Sequence, residues 1–152
     1  MLRSILAVIV SYLVMFVLIL VLFMGMWFGL GPNRLLEPGS FKGNWLITIA
    51  APAITVLCGL FGGWLCARIG RGGKPVIALA CVVLVLGLIS AYITLQKPEP
   101  TGVRDPEMTT VQFMEVGREP TWIAIFNPLG GAAAVLIGGL IMAAPRKPKS
   151  LG

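Results

Sequence analysis

The chain contains no histidine. That removes the usual general base near neutral pH and the commonest ligand for zinc and haem iron. Cysteine is scarce. Cys58, Cys66 and Cys81 are odd in number, lie inside apolar stretches and are not placed like a disulfide framework. They read as small buried hydrophobes. Charge is scarce too: 12% of residues are Asp, Glu, Lys or Arg, against about 25% in a soluble domain, while 57% are hydrophobic. Too little polar surface remains to cover a water-soluble fold, and lipid is the alternative solvent.

Four long apolar segments are present, at about 5–30, 45–67, 75–95 and 121–144, and none holds a charged residue. A helix needs about 20 residues to cross the hydrocarbon core. The expected fold is therefore an all-α integral membrane protein with four transmembrane helices, forming one domain over 1–152. Arg3 before the first segment has the look of a secretory signal. The apolar run exceeds the roughly 7–15 residues of a signal core and no small-x-small site closes it, so it reads as an uncleaved anchor.

Charge sets the orientation. With the N-terminus inside, one face holds Arg3, Arg68, Arg71, Lys74, Arg146, Lys147 and Lys149 and no acid. The other face holds five basic residues and all six acids, Glu37, Glu99, Asp105, Glu107, Glu115 and Glu119. The positive-inside rule then puts both termini in the cytoplasm, with Trp45 and Trp122 in the outer aromatic belt. The short N-terminus and lack of transit features point to a bacterial inner membrane. The turn from Arg68 to Lys74 is basic and glycine-rich but lacks P-loop spacing, so it reads as a tight link facing lipid headgroups.

The first outer loop, 31–44, shows no periodicity. The second, 96–120, contains Asp105-Pro106-Glu107, a helix-start pattern, and Gly117, a natural stop. A short extracytoplasmic helix is expected at about 106–116.

The second and fourth segments echo one another. In each, Trp precedes Pro (Trp45 and Pro52, Trp122 and Pro128), and a glycine pair follows (Gly62-Gly63, Gly138-Gly139). The chain reads as two tandem helical hairpins or as four unrelated spans. Both prolines bend their helices and free a backbone carbonyl. Asn127, the one amide within a span, can satisfy such a group, bond to a neighbouring helix, or help line a cavity with Thr48 and Thr55.

Small residues recur every fourth position in the second segment: Ala51, Thr55, Gly59, Gly63 and Ala67. Gly130, Ala134 and Gly138 repeat the spacing in the fourth. Helices in lipid associate through such faces, so these two are expected to pack tightly. The first segment is bulky nearly all round, apart from Ala7 and Ser11, and suits a lipid-facing position.

No span carries the carboxylate, Lys or His that proton-coupled transport uses. No catalytic residues, cofactor, metal or nucleic-acid partner are expected. The function expected is non-enzymatic: an accessory or scaffold subunit of a membrane complex, or a homo-oligomer. The alternative is a small passive channel or facilitated transporter, with its pathway beside the two kinked helices.

Overall fold

A computed structural model describes residues 2–98, 100, 102–103, 105, 107, 109–112 and 120–143. Its helices are α1 (Leu2–Leu30), the one-turn α2 (Pro32–Leu35), α3 (Trp45–Gly70), α4 (Gly73–Gln96) and α5 (Thr121–Ala143). The four long helices are each apolar and long enough to cross a membrane. That is the length and composition of a multi-pass membrane protein.

The helix ends follow from local chemistry. α1 stops at Gly31, whose φ of 72° is left-handed, and Pro32 then opens α2 at a position where its missing N–H costs nothing. Asn44 caps α3, its Oδ1 accepting from Leu46 N at 2.9 Å and Ile47 N at 3.4 Å. Its Nδ2 donates to the Arg34 carbonyl, tying the cap to α2. The loop that showed no periodicity is thus a folded clip. A bridge between Leu36 and Gly43 closes it, and Leu35 and Leu36 pack with Trp27 of α1.

At the other end, only Arg71 and Gly72 separate α3 from α4. Arg71 adopts φ 54° and its N–H donates to Ala67 O at 3.0 Å, closing α3. Both helices run beyond the apolar limits read from the sequence, because helical hydrogen bonding does not stop at the first charge. Arg68 stays helical and lays its guanidinium 5.2 Å from the Trp64 ring centre. Arg3 Nε donates to Ile69 O at 2.9 Å, bringing the start of α1 to this turn. Arg3, Arg68, Arg71 and Lys74 therefore share one end of the bundle, called here the basic end. The opposite end, with α2 and the starts of α3 and α5, is the loop end.

Of the helix expected at about 106–116, residues 110–112 are helical. Thr109 N donates to Gln112 Oε1 at 2.9 Å and Gln112 N to Thr109 Oγ1 at 3.4 Å, a reciprocal cap that makes Thr109 the N-cap. Asp105, expected to cap, instead accepts from Glu107 N at 2.9 Å in a local turn. Residues 106, 108 and 113–116 lie outside the described ones. Thr110 is buried and its hydroxyl donates to Trp27 O at 3.4 Å, docking this segment on the end of α1.

α5 packs most extensively on α3 and next on α4, while α1 lies mainly against α3. The core between them holds Met15, Cys58, Cys66, Leu79, Ala132 and Val135. α1 turns Leu13, Phe16, Val17 and Val21 outward, as expected of a lipid-facing helix. It is not detached, however. Ala7, Ser11 and Met15, spaced by four, are buried on it, and α3 offers Gly62 and Gly70 as the receiving small surface.

Candidate functional site

The site begins with the crossing of α3 and α5, which run parallel. A Cβ added at Gly63 would overlap the backbone carbonyl of Val135, and one at Gly138 would overlap that of Leu60. At Gly59 it would stand 2.8 Å from Ala134 Cβ and 2.9 Å from Gly131 O. Only glycine lets the two backbones come this close, near enough for Cα–H to carbonyl contacts. Ala51, Thr55, Gly59, Gly63 and Ala67 are all buried, so the whole ladder faces inward.

The matching line on α5 differs from the one read in the sequence. Ala134 and Gly138 are buried, but Gly130 is half-buried, and a Cβ there would meet the Phe126 ring of its own helix at 2.8 Å. Gly131 is the buried one instead, and a Cβ added there would meet Thr55 Cγ2 at 3.4 Å, an ordinary contact. The reason is geometric: a 3.6-residue turn lets a face step by three as well as by four.

Toward the loop end the contact between the two helices becomes polar. Thr55 Oγ1 donates to Asn127 Oδ1 at 3.0 Å, linking α3 to α5 three residues past Pro52 and one before Pro128. Pro128 removes the N–H that would have bonded to the Ala124 carbonyl, and Pro52 does the same to Thr48. Pro128 fits against α4 because position 87 is glycine; a Cβ there would lie 2.7 Å from Pro128 Cβ.

A cavity of about 400 Å³ lies beside this linkage, walled by α1, α3, α4 and α5. Its floor includes the buried Met15, Thr55, Ala124, Pro128 and Gly131. Its rim includes the exposed Phe16, Leu86 and Ser90. The mouth therefore faces sideways between α1 and α4, which touch one another less than either touches its main neighbour. Among the described residues, Tyr12, Thr55, Ser90, Thr94 and Asn127 are its hydroxyl and amide groups, and none that lines it is charged. Toward the basic end it is closed by Val83 and Gly131, and then by the glycine crossing.

Asn127, Pro128 and Thr55 were singled out from sequence. Pro52 lies within α3 without lining the cavity, and Thr48 lies elsewhere, at a second hollow of about 530 Å³ at the loop end. That hollow carries both Glu37 and Lys42, and part of its wall, at Pro100, Gly102 and Pro120, adjoins residues outside the described ones. Tyr12, Gly87, Ser90 and Thr94 were not anticipated. A signal existed: Gly87, Ser90, Ala91 and Thr94 form a small and polar stripe at helical spacing along an otherwise bulky α4.

Cys58 and Cys66 are buried in the core and Cys81 is exposed on α4; all three are free thiols. Among the described residues, no three His, Cys, Asp or Glu side chains come together as a metal site would need. Compared with protein-family models, curated proteins and solved structures, the chain matches none of them.

Proposed function

We propose that this chain is a non-enzymatic membrane protein that binds a small molecule within the membrane, in the cavity beside the proline-containing α3 and α5. The observation that carries this reading is the 400 Å³ hollow with Asn127 and Thr55 on its wall. Its volume falls in the roughly 300–1,000 Å³ of small-molecule sites, and an apolar lining with a few fixed polar groups is their usual composition. Closure toward the basic end favours a binding pocket or one side of a gated pathway over an open pore.

An accessory or scaffold subunit, or a homo-oligomer, is the second reading. The small-residue faces that suggested it are occupied inside the chain, between α3 and α5. What favours it now is α1, whose exposed Leu6, Ile9, Leu13, Val17 and Val21 offer another helix a broad apolar surface.

The proposed setting is a bacterial inner membrane with both termini cytoplasmic. Seven basic residues and no acid on one face support that orientation. The loop helix near 110 would then be extracytoplasmic. A tandem pair of hairpins, α1 with α3 and α4 with α5, draws support from the crossing. Leu60 and Val135, and Gly63 and Gly138, are related by one offset of 75 residues and contact one another reciprocally. The sequence echo runs at 76.

Native mass spectrometry of the protein, gently extracted from its own membrane, tests both readings. A discrete added mass of a few hundred daltons supports the binding reading. Bound protein subunits support assembly. A bare monomer overturns both. Reporter fusions at each terminus test the orientation, and activity of a periplasmic reporter at either end would refute it.

A further inference from the structure

The geometry points to the ligand's class: an uncharged, single-tailed amphiphile that enters the cavity sideways from the membrane between α1 and α4. This inference rests on the binding reading above and adds the chemistry of what is bound and the route it takes.

Three observations carry it. The first is charge. Among the described residues no Asp, Glu, Lys or Arg lines the cavity, and its floor is buried, so an ionised head would lose its hydration without gaining a counter-ion from them. A neutral head loses far less, and hydroxyl and amide groups are there to replace its water. The second is the distribution of those groups. Asn127 uses Oδ1 to accept from Thr55, and among the described residues no hydrogen bond engages its Nδ2. That leaves an amide donor for a hydroxyl, ester or carbonyl oxygen, with Ser90 and Thr94 across from it on α4. The rest of the wall is apolar, as a hydrocarbon tail requires.

The third is the mouth. Phe16, Leu86 and Ser90 are exposed on the helix faces that turn toward lipid, while Met15, Ala124 and Pro128 behind them are buried. A molecule already dissolved in the bilayer reaches the floor between α1 and α4 without crossing the loop end. Ser90 at the rim lets a polar head pass the lipid-facing edge while keeping a hydrogen bond.

The test uses three photoreactive probes with the same single diazirine-bearing chain and different heads: a monoacylglycerol, a fatty acid held at pH 9, and a lysophosphatidylcholine. Each is incorporated at equal density into proteoliposomes of the full chain, and labelled peptides are mapped. The expected result is labelling at 12–23 and 83–94 by the monoacylglycerol at least tenfold above either charged probe. Ser90→Phe, which blocks the rim and leaves the α3–α5 crossing untouched, should abolish that excess. Asn127→Leu should reduce it several-fold, and Asn127→Gln should recover part of it. Equal or stronger cavity labelling by a charged probe, still blocked by Ser90→Phe, overturns the assigned class and leaves the binding reading standing. Labelling of the cavity no greater than that of the outward face of α5 at Leu136, Ile137, Leu140 and Ile141, with every probe, overturns both.

Discussion

Gly63 rests on the backbone carbonyl of Val135, and Gly138 rests on that of Leu60, so the two helices exchange the same contact at one crossing. In lipid there is no hydrophobic force to drive helices together, and association depends on close contact and on the few polar groups within reach. This crossing supplies the first and the Thr55–Asn127 bond supplies the second. Together they hold α3 against α5 beside the cavity.

Even a methyl group should be poorly tolerated at the crossing. Gly63→Ala and Gly138→Ala are expected to destabilise the protein by about 1–3 kcal/mol, the usual cost of overpacking a filled interior. Thermal unfolding in detergent measures this. Gly25→Ala and Gly29→Ala provide the contrast, since nothing lies within 4 Å of a Cβ at either site. There the better helix propensity of alanine should leave stability unchanged or raise it by up to about 1 kcal/mol. Equal losses at all four positions would show that glycine is not needed for contact.

The Thr55–Asn127 bond should be worth little by itself. Such interhelical bonds average about 0.6 kcal/mol, because the separated helices find other partners in the membrane. A double-mutant cycle with Thr55→Val and Asn127→Leu should return a coupling near that value. A coupling above about 2 kcal/mol would mean that the pair supports the cavity wall cooperatively.

The cap at Asn44 should matter locally. Asn44→Ala removes acceptors from Leu46 N and Ile47 N and a donor to Arg34 O. A loss of about 1 kcal/mol is expected, with faster amide exchange at 45–48 and in the 35–44 clip. Unchanged exchange in the clip would separate it from the helix start.

Arg71 holds a left-handed conformation with φ of 54° between two helices. Arg71→Gly should stabilise the turn by up to about 1 kcal/mol, and Arg71→Ala should not, because alanine keeps the Cβ that the conformation disfavours. Since both variants remove the same charge, the difference between their melting temperatures isolates the backbone effect.

The four spans, their limits to within a few residues and the inward face of α3 were legible in the sequence, because each depends on the residue's own preference for lipid or for a helix neighbour. Hydropathy is additive along the chain, and a ladder of small residues has one natural reading. The register of α5 was not legible. Gly130 and Gly131 are chemically alike, and only the packing of α5 on its neighbours decides which of them is buried. The folded first loop escaped for a related reason: its order comes from Asn44 reaching back to Arg34 and from Trp27 beneath Leu35 and Leu36, contacts no local periodicity records. By itself, then, the sequence determined how many helices are long and apolar enough to cross a membrane. The tertiary structure alone decided the register in which the small-residue faces meet, and that Tyr12, Ser90, Thr94 and Asn127 from three helices border one hollow. A cavity is what packing leaves unfilled, and that is a property of several segments at once.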